Sequence, residues 1–138
     1  MIAGDQILPR ISPNVGVRPN EPDANPLKDW LQSCESFKNK LDKDVLILPS
    51  HGDPFYGAHL RLQEMIDEHK AGLKDLYDFC SEPRSVTDAF PILFKSKINS
   101  GNMVIAVGEA LANLNHLVAS KDLEVDTCNG GIAKYKQT

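Results

Sequence analysis

Long apolar runs are missing from this sequence: none approaches the ~20 residues that a membrane-spanning helix requires, which argues against such a span. Paired cysteines are missing too. Cys34, Cys80 and Cys128 are odd in number, widely spaced and free of any C-x-x-C pair, a pattern that suits neither a disulfide framework nor a cysteine-rich metal site. They read as reduced thiols, two of them facing the core. There is no basic excess, the formal charge being -4, so the electrostatic footprint of a general nucleic-acid binder is lacking. The opening MIAGDQILPR has no basic region followed by an apolar core and a small-residue cleavage site, and the expected compartment is therefore the cytoplasm.

What is present is the mixture of a soluble globular chain, 41% hydrophobic and 25% charged, and 138 residues hold one ordinary domain or a small domain plus part of another. Residues 1 to 24 carry Pro9, Pro13, Pro19 and Pro22, each of which removes an amide donor and biases its predecessor toward extended geometry. A helix is predicted over about 26 to 42, with Asn25 as cap and Pro26 in the first position. Leu27, Trp30, Leu31, Cys34, Phe37 and Leu41 fall on its inner stripe. DVLILP, residues 44 to 49, reads as a strand buried on both faces of a parallel sheet. The loop SHGDPFYG then leaves its carboxyl end, where ligands of open α/β sheets commonly bind.

From Ala58 to Cys80 the residues Leu62, Met65, Ile66, His69, Leu73, Leu76, Tyr77 and Cys80 recur at helical spacing, and the helix stops near Pro83. A shorter helix follows Thr87, with Pro91 either in its first turn or at its true start. NSGNMVIAVGEALANLNHLVAS predicts a third helix whose inner face is Val104, Val107, Leu111, Leu114 and Leu117/Val118. LEVDTC and IAKYKQ then alternate in polarity around the turn signal Asn129-Gly130-Gly131. Three helices closed by a β-hairpin is the order of a winged-helix module.

Taken together, AGDQILPRISPNV, NPLKDWLQS and DVLILPSHGDPF resemble the second half of the metallo-β-lactamase-fold hydrolases. HLRLQEMIDEH and GEALANLNHLV resemble the helical, winged-helix-like tail of one branch of that superfamily. GDQ or SHGDP alone would occur by chance, whereas their order and spacing with the flanking elements are fairly specific. The resemblance implies an α/β fragment, half of an αββα sandwich over residues 1 to 55, followed by a mainly α winged-helix-like tail over residues 56 to 138. It also implies a small-molecule substrate and two metal ions, usually zinc, held by an H-x-H-x-D-H motif, a further histidine, a bridging aspartate and a final histidine. On this sequence Asp5 of GDQ matches the bridging aspartate, with a catalytic role in orienting the nucleophile, and His51 of PSHGD matches the final histidine. Nothing matches H-x-H-x-D-H. A catalytic zinc takes about three protein ligands and an open position, so these two residues alone are expected to bind metal poorly.

Each candidate has a bland counterpart. An aspartate after glycine is commonly a turn former, Asp53 begins a D-P turn, and His59 and Arg61 are either substrate-mouth residues or solvated first-turn residues. His69 and His116 lie on largely apolar faces and read as structural, and Glu109 as a carboxylate held by a hydrogen bond. The competing functional reading is a non-catalytic interaction module, because half a sandwich would leave apolar area and an open sheet edge that favour a homo-oligomer or a partner half. A nucleic-acid role is opposed by a third helix without Arg or Lys.

Overall fold

A computed structural model describes residues 1–127 and 131–138. The architecture is α/β, with four α-helices and small strands in the order β1 (Ile2–Gly4), α1 (Pro26–Lys40), β2 (Leu48–Pro49), α2 (Ala58–Phe79), a 3₁₀ turn (Thr87–Ala89), α3 (Phe90–Leu93), α4 (Met103–Ala119), β3 (Leu123–Asp126) and β4 (Lys134–Gln137). The chain divides into two compact units, one made of Met1–Asn14 and Asp29–His69, the other of Val15–Lys28 and Lys70–Thr138. Among the described residues no helix is long and apolar enough to cross a membrane.

In the first unit β1 and β2 pair in parallel, Ile2 opposite Leu48 and Gly4 opposite Pro49. Leu48 N–H donates to the Met1 carbonyl at 2.8 Å and Ser50 N–H to the Gly4 carbonyl at 3.0 Å. The other edge of β2 is taken by Phe55, which exchanges two backbone bonds with Ile47. The core gathers Ile7, Cys34, Ile47, Leu62, Met65 and Ile66, with Trp30, Leu31 and Phe37 packed against it. The stripe predicted for the first helix thus faces the core, and the helix ends two residues earlier than expected.

The DVLILP segment departs from expectation. Only Leu48–Pro49 is strand, and Ile47 is enclosed while its neighbours Leu46 and Leu48 are exposed, so the run alternates instead of being buried on both faces. The physical reason is that this two-stranded sheet is covered on one side only, and a strand's successive side chains point to opposite faces.

In the second unit Asn25 caps α1, its Oδ1 accepting from Lys28 N–H at 3.2 Å. Pro91 sits in the first turn of the short α3, where its missing amide costs nothing. β3 and β4 form the expected antiparallel ladder, Leu123 opposite Gln137 through Asp126 opposite Lys134. The turn signal at Asn129 and Gly130, like Cys128, lies outside the described residues.

Helix α4 keeps only part of the expected face, Leu114 and Leu117. Its buried residues are Ala106, Gly108, Ala110, Ala112, Asn113, Leu114 and Leu117, whereas Val104 is exposed and Val107 and Leu111 are half-buried. Segment 15–25 lies directly on the helix at Gly108 and Asn115. Val17 N–H donates to the Gly108 carbonyl at 3.0 Å, and a Cβ built on Gly108 would meet the Val17 carbonyl oxygen at 2.8 Å. Close backbone approach is the use to which this glycine is put.

Candidate functional site

The two carboxyl ends of a parallel strand pair lie side by side, so residues just past β1 and β2 meet. Asp5 follows Gly4 and His51 follows Ser50. The result is a carboxylate and an imidazole in proximity, His51 Nε2 lying 3.6 Å from Asp5 Oδ1. Ser50 Oγ also donates to Asp5 Oδ1. Both candidate ligand side chains are open to solvent, 69% exposed for His51 and 62% for Asp5.

Local backbone chemistry fixes this cluster. Gly4 adopts φ +54, which side-chain-bearing residues seldom take, and turns the chain so that Gln6 N–H donates back to the Ala3 carbonyl at 3.0 Å. Gln6 Nε2 reaches Cys34 Sγ at 3.4 Å, and Ile7 and Leu8 are buried, anchoring the far side of the turn. Gly52, at φ +87, seats the histidine loop against Pro9, whose Cγ would lie 2.7 Å from an added Cβ. Burial pushes the Cys34 thiol up to about 11, so it packs as a protonated thiol and is no nucleophile at neutral pH.

A carboxylate oxygen and an imidazole nitrogen bound to one tetrahedral zinc at ~2.05 Å each would stand about 3.3 Å apart, close to the observed separation. As a pair they fit. As a complete centre they do not, because among the described residues no group of three or more His, Cys, Asp or Glu side chains could hold a metal ion. The serine, histidine and aspartate do not form an acyl-transfer triad either, since the serine hydroxyl bonds the carboxylate and not the imidazole.

The two candidate substrate residues are placed differently. His59 is half-buried at the start of α2. The Arg61 side chain is only 9% exposed: Nε donates to the Leu8 carbonyl at 2.8 Å, and Nη1 lies 3.3 Å from Glu64 Oε2 and 3.7 Å from Glu68 Oε1. Ser50 escaped the reading of the sequence. Its signal was available, because a hydroxyl one residue before His51 falls at the same strand end as Asp5.

A family model described as the metallo-β-lactamase-like carboxy-terminal domain matches residues 73–138. Among solved structures, a β-lactamase domain protein from Burkholderia ambifaria superposes with a TM-score of 0.94 at 37% identity, over 99% of this chain and 40% of that one. This chain belongs to the metallo-β-lactamase-fold superfamily, as a carboxy-terminal part. A metallo-β-lactamase family protein from Thermus thermophilus also superposes, with a TM-score of 0.79 at 25% identity over 99% of this chain and 41% of that one. The chain therefore spans about two-fifths of the length of these metallo-β-lactamase-fold relatives. No curated protein matches it.

Proposed function

We propose that this chain is the carboxy-terminal portion of a metal-dependent hydrolase acting on ester, thioester or amide-type bonds, and that it is inactive by itself. The observation that carries this reading is the meeting of Asp5 and His51, 3.6 Å apart at the ends of two parallel strands. They would serve as two ligands of a zinc centre whose other donors lie in sequence outside these residues. Bound metal would supply a hydroxide nucleophile near neutral pH. Asp5 would fix the orientation of the centre and Ser50 that of the Asp5 carboxylate. His59 is proposed to face the substrate side, and Arg61 to act on that side indirectly, by holding the Leu8 carbonyl three residues past Asp5. In the same reading residues 1 to 55 are half of the family sandwich and residues 56 to 138 a winged-helix-like tail.

Zinc titration of the purified chain tests it, alone and with the rest of the fold supplied from a relative. Weak, substoichiometric zinc alone and tight zinc with turnover after complementation are expected, both lost in Asp5→Ala and His51→Ala. Tight stoichiometric zinc with turnover in the 138-residue chain would overturn the reading.

The second reading, a non-catalytic association module, is favoured by the outer edge of β1. Because Leu48 donates to the Met1 carbonyl opposite Ile2, the backbone groups of Ile2 point away from β2, and its side chain is 85% exposed. Another strand added there would give a homo-oligomer or a two-piece sandwich. A monomer by sedimentation at all concentrations, unchanged by Ile2→Lys, would remove it.

A further inference from the structure

Helix α4 is apolar on two opposite sides. Ala106, Ala110, Leu114 and Leu117 are buried on one side. On the other side Val104, Val107 and Leu111 line a groove of about 250 Å³ whose other wall is Val17, Pro19 and Pro22. A helix apolar all round is one whose outer face gets covered. Apart from Glu109 and His116, α4 carries no ionisable side chain.

The groove has a direction. Segment 17–24 runs alongside α4 in the same sense, since Val17 N–H bonds the Gly108 carbonyl and Asn115 Nδ2 bonds the Pro22 and Ala24 carbonyls at 2.8 and 2.9 Å. Arg18 therefore lies toward the amino-terminal end of α4, and Glu21 and Asp23 flank Pro22 toward the other. Among the described residues Arg18 is the only charged one lining the groove. Among those same residues it has no ion-pair partner.

One cation on an otherwise apolar slot is complementary to an anion with an apolar tail. The volume lies just under the ~300–1,000 Å³ of pockets for drug-sized ligands, which suits a single short chain. We infer that this groove binds a free medium-length acyl carboxylate, with its head on Arg18 and its tail along Val107 and Leu111 toward Pro22. This site is separate from Asp5 and His51 and needs no metal.

Calorimetric titration of the chain with octanoate at pH 7, against octanol as the neutral analogue, tests the inference. Saturable one-to-one binding of octanoate is expected, about tenfold tighter than octanol, as one charge-assisted contact would give. Arg18→Gln should bring octanoate to the octanol level. Val104→Asp, at a position 73% exposed and hence compatible with folding, should weaken octanoate about tenfold or more by placing a like charge at the groove. Three results would each overturn the inference: no saturable binding, octanoate affinity unmoved by both substitutions, or self-association of the chain that Val104→Asp abolishes and octanoate leaves intact.

Discussion

The two units treat their buried polar groups differently. Trp30 Nε1, Arg61 Nη2 and His69 Nε2, the buried side-chain atoms without a hydrogen-bond partner among the described residues, all belong to the first unit. In the second, buried Asn113 donates to the Glu109 carbonyl at 2.9 Å, buried Ser85 bonds Asp88 at 2.7 Å, and Asn115 spans two carbonyls. A buried polar group left without a partner costs about 1–3 kcal/mol, so among the described residues these penalties fall in the first unit. Among the described residues, the unit that holds the candidate ligands is thus the one with unpartnered buried polar atoms.

The largest expected effects test whether the two regions are thermodynamically separate. Ile47 in the first unit and Leu114 in the second are both fully enclosed, and truncating either to alanine should cost about 2–5 kcal/mol. If the comparison holds, Ile47→Ala lowers an earlier, weaker unfolding transition and Leu114→Ala a later one. Equal shifts of a single calorimetric transition would show that the units unfold together.

Next in size is a pair of glycine replacements. Gly108→Ala forces a methyl against the Val17 carbonyl and should destabilise by about 1–3 kcal/mol. Gly72→Ala, inside α2 with nothing within 4 Å of the added Cβ, should stabilise by about 0.4–1 kcal/mol. Denaturant midpoints moving in the same direction would contradict the close packing of segment 15–25 on α4.

That contact also marks where the sequence stopped being legible. The helices, the hairpin strands and the stripe of α1 were readable because capping residues and periodicity are local. Leu111 and Val104 misled because hydropathy ranks large apolar residues as core, whereas on their side of α4 it is Gly108 that meets the chain, admitting a backbone 91 residues away in sequence. The alternation in DVLILP was hidden for a similar reason. A run of consecutive apolar residues cannot reveal how many faces of its sheet are covered. Asp5 and His51, by contrast, were named from family resemblance, and only the parallel register explains why they meet.

A smaller effect separates the units by pH. Burial lowers the pKa of His69 in the first unit and of His116 in the second below the usual 6.5, chiefly by penalising the charged imidazole. Glu68 opposes the shift at His69, and Asp122 opposes that at His116 while Lys28 adds to it. The unfolded chain then binds more protons between the folded and unfolded values. Stability from each histidine is therefore complete above about pH 6.5 and falls as pH drops through the folded value. His116 Nδ1 lies 3.3 Å from Asn25 Oδ1, while His69 meets the Trp30 ring edge at 4.7 Å between centroids. Melting at pH 7.5 should exceed that at pH 5.5, and His69→Gln should narrow the gap for the first unit alone.

The smallest expected effect bears most directly on function. Asp5 and His51 are mostly exposed, and their mutual contact is a long, solvent-screened pair, so neither contributes appreciably to holding the fold together. Asp5→Ala and His51→Ala should each change unfolding free energy by no more than about 0.5 kcal/mol, in contrast to the several kcal/mol lost on truncating Ile47 only a few residues from His51. A residue whose removal leaves stability untouched but abolishes zinc binding in the completed fold is present for its donor atom and not for packing. Were Asp5→Ala to destabilise the isolated chain by about 2 kcal/mol or more, the Ser50 to Asp5 contact would be a structural clasp, and the turn former would be the better description of this aspartate.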